Sequence, residues 1–142
     1  MTETAAKTAQ MQAILESNVL ARLGTTRNGQ PHVVPVWFLW DGESIWISAF
    51  RSTRKVKDLL RNPLCAVLIE PKEVLPGELQ AVLLEGRAEL ICAPDPRVAL
   101  ISTRIYTRYL GEEGVLAAEP QSWIYDAENT LVRLTPQKTY TW

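Results

Sequence analysis

The chain has 142 residues, with 15 Lys and Arg against 16 Asp and Glu and a formal net charge of −1. That length suits one domain, residues 1–142, with a core that needs no disulfide staples, and the even charge excludes a global attraction to nucleic acid or an anionic membrane. A single histidine, His32, and two isolated cysteines, Cys65 and Cys92, leave no spacing for a structural metal and fit a reducing cytosol, while the absence of a long apolar run or signal-like start points to a soluble, cytoplasmic protein.

Along the chain, Thr4 to Ser17 reads as an opening helix (residues 1–17 packing on the rest), with Met11, Ile14 and Leu15 on one face. Val19–Thr25 reads as a strand, and Arg27-Asn28-Gly29-Gln30 as a hairpin turn, because Asn-Gly tolerates the positive φ angles such turns require. His32–Trp40 reads as one long strand, Asp41-Gly42 as a second turn and Ser44–Phe50 as a third strand. A short helix over about Thr53–Arg61 ends at Asn62-Pro63, followed by strand Leu64–Glu70 and the loop Pro71–Gly77. Leu79–Ile91 is a further long strand in which Gly86 marks a bulge or bend. Asp95-Pro96 opens a helix that runs through Val98, Ile101, Ile105 and Tyr109 until Gly111 stops it. A loop rich in Glu and Ala follows, then strands Thr130–Leu134 and Lys138–Trp142. Hairpins and long strands of this kind favour a mainly β fold with short helices, a closed or partly split antiparallel barrel of six or so strands.

Two stretches bear on chemistry. Between Arg51 and Arg61, the cations Arg51, Arg54, Lys55, Lys57 and Arg61 face one carboxylate, Asp58. A helix N-terminus already carries partial positive charge, so Arg54 and Lys55 there are unfavourable unless an anion joins them. With the Ser52 and Thr53 hydroxyls and free backbone N–H groups, the segment reads as a phosphate site or as a solvated basic turn. In the strand Val34-Pro35-Val36-Trp37, Pro35 cannot donate a ladder hydrogen bond. The stretch offers open backbone beside apolar side chains, as a planar heteroaromatic ligand requires, or is an edge strand with a tolerated proline.

Five tryptophans, at positions 37, 40, 46, 123 and 142, are dense for this length, and alternation puts Trp37 and Trp40 on opposite faces. Some of the five are expected in a pocket or subunit interface. No nucleophile–base pair, paired carboxylates or metal-ligand cluster stands out, so no catalytic residue is assigned and the reactive group is expected from a cofactor.

Four segments in order resemble the pyridoxamine 5′-phosphate oxidase-like family of FMN-binding split β-barrels, over about Val19 to Trp142. They are Asn28-Gly29-Gln30-Pro31-His32-Val33-Val34-Pro35-Val36-Trp37, Thr53-Arg54-Lys55, Leu84-Glu85-Gly86-Arg87-Ala88-Glu89-Leu90, and Arg133-Leu134-Thr135-Pro136 with Trp142. The resemblance implies a six-stranded split barrel and a homodimer with two flavin sites at its interface. It implies that Arg54 and Lys55 hold the FMN phosphate with the Thr53 hydroxyl, and that Val34, Pro35, Val36 and Trp37 run along the isoalloxazine. Ala49 and Phe50 would lie near the ribityl chain, and Gln80 and Trp142 would add cofactor contacts, Gln80 from the partner subunit. The family's vitamin B6 oxidases have further basic residues after the closing strand; none follows Trp142, so that activity is not expected. The function implied is two-electron transfer between FMN and a small substrate; the alternatives are a reductase using the deazaflavin F420 or a flavin or haem carrier without turnover.

Overall fold

The computed structural model describes residues 2–142. Helix α1 (Glu3–Glu16) starts at Thr2, whose side chain accepts from the Ala5 amide, and it buries Ile14 and Leu15. Strands β1 (Ala21–Arg27) and β2 (Gln30–Val36) form the expected hairpin, with Asn28 at φ 51° and Gly29 at φ 80°. Then come β3 (Leu39–Trp40), β4 (Ile45–Phe50), α2 (Arg54–Arg61), β5 (Leu64–Ile69) and β6 (Val82–Cys92). Helices α3 (Pro96–Gly114) and α4 (Ala118–Ile124) precede β7 (Asn129–Leu134) and β8 (Lys138–Thr141). Within α3, Gly111 takes φ 82°, so the regular helix stops there as the sequence suggests and one extra turn follows.

The strands form one curled antiparallel sheet in the order β2-β1-β5-β6-β7-β4-β3, with β8 added on β6. The mainly β split barrel is therefore the fold, but with eight strands where six are expected. One reason is that His32–Trp40 is two strands. Its first part, β2, pairs with β1, and its last part, β3, pairs with β4, so the chain crosses from one end of the strand order to the other at Trp37-Phe38. A run of apolar residues hides that change of partner, because both halves have the same composition.

Strand β6 joins the two halves of the barrel. Val82–Arg87 pairs with β5, while Ala88–Cys92 pairs with β7. Gly86 sits where the closing chain breaks between β7 and β8. A Cβ there would come within 3.1 Å of the Leu134 side chain and the Thr135 carbonyl oxygen, so the bend expected at this glycine is a close backbone approach. The loop before β6 is pinned by the last residue, whose carbonyl accepts from the Gln80 and Ala81 amides.

Leu15, Leu23, Phe38, Ile47, Ile69 and Leu84 fill the barrel with their neighbours, and Val56 and Leu59 of α2 join them. A second cluster lies outside the barrel wall, where Val98 and Ile105 of α3 pack on Leu39, Trp46, Ile91 and Leu131. Arg108 of α3 donates to the carbonyls of Ser17 and Phe38, which ties the Trp37-Phe38 corner to that helix. Helix α4 occupies the stretch read as a Glu- and Ala-rich loop. Its proline, Pro120, lies in the first turn, where no intrahelical N–H bond is lost.

Candidate functional site

The start of α2 is built from local backbone. Thr53 is the N-cap residue, but its hydroxyl donates 2.7 Å to the Phe50 carbonyl instead of capping the helix. The Lys57 amide reaches the Thr53 carbonyl, which leaves the amides of Arg54, Lys55 and Val56 without an acceptor among the described residues. These are the orphan donors of a helix start, and they face no acidic residue of the first turn.

Three residues further on, Asp58 is fully buried. It accepts from the Thr25 hydroxyl at 3.0 Å, from Arg27 Nε at 2.8 Å and from Arg54 Nε at 3.4 Å. Burial pushes its carboxyl up, but the Thr25 bond and the Arg27 guanidinium outweigh it, so the group stays below the ordinary carboxylate range. Arg54 is thereby oriented by its own helix. Arg27 is a further cation at this end of the barrel that sequence reading missed, because its partner is 31 positions away and carries no local motif.

Lys55 differs. It is half-buried and has no ion pair among the described residues, and its burial lowers the ammonium from the ordinary lysine range. It lines a cleft of about 280 Å³ together with Pro35, Val36 and Trp37 from the end of β2. Ser48 of β4 and Tyr106 of α3 supply the cleft's hydroxyls. Because β2 is the last strand of the sheet, with β1 on one side only, Pro35 costs no ladder bond. Trp37 is held by α3: it stacks on Tyr109 at 4.9 Å and 5°, and meets Tyr106 edge-on at 5.8 Å.

Of the residues expected at a cofactor, Pro35, Val36, Trp37 and Lys55 thus meet in one cleft, with Thr53 and Arg54 adjoining Lys55 in the chain. Val34 packs its side chain against the barrel core instead. Ala49 is also in the core, and strand alternation turns Ser48 and the half-buried Phe50 to the other face. Gln80 and Trp142 lie elsewhere, joined to each other through backbone, and Trp142 lines a separate shallow groove with β8. Ser48 and Tyr106 were missed; no local pattern links residues 58 positions apart.

The chemistry available within the chain is limited. Burial pushes the Cys65 thiol up to about 11, so it is no nucleophile at neutral pH. No group of three or more His, Cys, Asp or Glu is placed to hold a metal among the described residues. A half-buried cation and helix-start amides without partners among the described residues, with an apolar wall beside an edge strand, fit an anionic ligand with a flat aromatic part.

The family model for pyridoxamine 5′-phosphate oxidase matches residues 8–142. The chain belongs to that family of flavin-binding split barrels. Its fold is shared with a conserved hypothetical protein of Mycobacterium tuberculosis, at 23% identity and TM-score 0.76 over 100% of this chain and 84% of that one. A protein described as an F420 reductase matches at 24% identity and TM-score 0.71, covering 91% and 94% of the two chains. An FAD-binding protein of Mesorhizobium loti matches at 18% identity and TM-score 0.63, covering 94% and 90%. No curated protein matches the sequence. No helix of the described residues is long and apolar enough to cross a membrane.

Proposed function

We propose that the chain binds FMN in the cleft between the end of β2 and the start of α2, and acts as an oxidoreductase on a small conjugated substrate. The observation that carries this reading is Lys55: a half-buried cation with no ion-pair partner among the described residues, beside three amides with no acceptor among them and an apolar cleft wall. Bound there, FMN would supply two-electron chemistry; the protein's residues would do the holding and shaping. Lys55 and the α2 amides would take the phosphate, with Arg54 oriented toward it by Asp58. Pro35 and Trp37 would keep water from one side of the ring system, and the stacked Trp37–Tyr109 pair would keep that wall rigid.

The test is equilibrium binding of FMN and of F420 to flavin-free protein, with the absorbance spectrum of the protein as purified. The double variant Arg54→Ala, Lys55→Ala should fold and lose most of its flavin, since each cation contributes charge-assisted bonds worth about 1.5–3 kcal/mol. Unchanged FMN affinity in that variant would overturn the phosphate assignment, and a clear preference for F420 would replace the cofactor. The similarity to an F420 reductase makes F420 the second candidate, because its phosphate could use the same helix start.

The same reading makes the protein a homodimer. Its support is an uncovered outer sheet face, where Val33 and Leu64 are 64% and 50% exposed beside a groove of about 530 Å³ lined by Gly24 and Ala66. Small residues there let a second sheet approach closely. Gln80 and Trp142, which are outside the Lys55 cleft of their own chain, would then reach the partner's cofactor. Sedimentation at micromolar concentration should give twice the chain mass, and a monomer would remove this part of the proposal.

A further inference from the structure

Two tyrosines of α3 sit beside Trp37, and their hydroxyls are used differently. Tyr109 donates 2.7 Å to the Val19 carbonyl and accepts from the Phe38 amide at 3.3 Å, so its oxygen is engaged within the fold. Tyr106 has one hydrogen-bond partner among the described residues, the Ser48 hydroxyl at 3.1 Å, and both residues line the cleft that holds Lys55.

The direction of that bond follows from counting protons around Ser48. The buried Asn129 amide is fixed because its Nδ2 donates to the Ile124 carbonyl at 3.1 Å and to the Ser102 hydroxyl at 3.0 Å. Ser102 therefore donates onward to the Ser48 hydroxyl at 3.1 Å. Ser48 spends its only proton on Asn129 Oδ1, 2.7 Å away. The three side chains form a closed ring, and Ser48 has no proton left. Tyr106 must be the donor in the remaining bond. No described residue then donates to its phenolic lone pairs, which makes the hydroxyl an acceptor toward the cleft.

We infer that Tyr106 is a fixed hydrogen-bond acceptor for the bound ligand, and that the group it takes is a hydroxyl of the polyhydroxylated chain carrying the phosphate. Lys55 can only donate, so it serves the anionic end, while Tyr106 serves a nearby donor within the same cleft of about 280 Å³. The cleft is lined both by Lys55 at the anionic end and by Trp37 at the ring wall, and what joins phosphate to ring in a flavin is the ribityl chain, so its hydroxyls are the donors assigned to Tyr106. The Ser48–Ser102–Asn129 ring holds the acceptor in place, with Trp123 and Trp37 packed edge-on against the Tyr106 ring at 5.6 and 5.8 Å.

This inference rests on the flavin reading, and the two can fail separately. The variant Tyr106→Phe keeps the ring packing and removes only the oxygen. Binding of FMN, riboflavin and lumiflavin to flavin-free protein is compared between wild type and variant; lumiflavin lacks the ribityl chain, and riboflavin lacks only the phosphate. The expected result is a roughly three- to tenfold weaker binding of FMN and riboflavin with lumiflavin unchanged, the size of one hydrogen bond. Equal weakening for all three would mean a loosened cleft and would overturn the acceptor role, as would no change for any. If wild type binds none of the three, the flavin reading itself falls and takes this inference with it.

Discussion

Asp58 and Lys55 lie on the same short helix, and the fold treats their charges in opposite ways. Asp58 is fully buried and receives a hydroxyl and two guanidiniums from β1 and α2. Lys55 is half-buried and receives nothing from the described residues. Burying a charge is costly unless it is paired. A buried charge with complete partners therefore belongs to the architecture, whereas one left without a partner points outward to a ligand. The same contrast recurs on α3, where the Tyr109 hydroxyl is satisfied within the chain and the Tyr106 oxygen accepts from no described residue.

The largest effect that would test this contrast is on Asp58. Asp58→Ala should destabilise the protein by about 3 kcal/mol, because it strands the Thr25 hydroxyl and two guanidiniums around a new cavity. Urea denaturation measures this, and a change below about 0.5 kcal/mol would show that the cluster is not structural. The pH dependence has a definite sign. A carboxylate held below its ordinary value of about 3.9 stabilises the fold above that pH, and its contribution is lost as pH falls through the folded value. The stability gap between wild type and Asp58→Ala should accordingly be full near neutrality and narrow below about pH 4. A gap independent of pH would mean that the carboxylate's charge is not what holds the cluster.

The smaller effect is on Lys55. Lys55→Met keeps the aliphatic stem and removes an unpaired cation, so the ligand-free protein should change by no more than about 0.5 kcal/mol in either direction. A marked loss of stability in thermal or urea unfolding would reveal a partner for Lys55 within the protein and erase the contrast with Asp58.

Much of this was written in local sequence. The Asn28-Gly29 turn adopts positive φ values that only a few residue types tolerate, and Gly111 interrupts α3 for the same reason. The basic start of α2 after Thr53 is also local, since helix polarity and charge placement are properties of neighbouring residues. Other features were hidden. The division of His32–Trp40 at Trp37-Phe38 depends on which strand each half meets, and both halves look alike in composition. Ala49 was expected beside a cofactor, but alternation along β4 turns it into the core and brings Ser48 to the cleft.

The sequence by itself determined the Asn28-Gly29 turn, the start of α2, the family and the basic segment proposed to hold an anion, because each is set by residues close together in the chain. Only the tertiary structure decided what each charge and hydroxyl has for company. Arg27 reaches Asp58 across 31 positions, and Ser48 meets Tyr106 across 58. Whether a polar group is satisfied depends on its neighbours in space, and here that separates the groups that hold the barrel from those left facing the cleft.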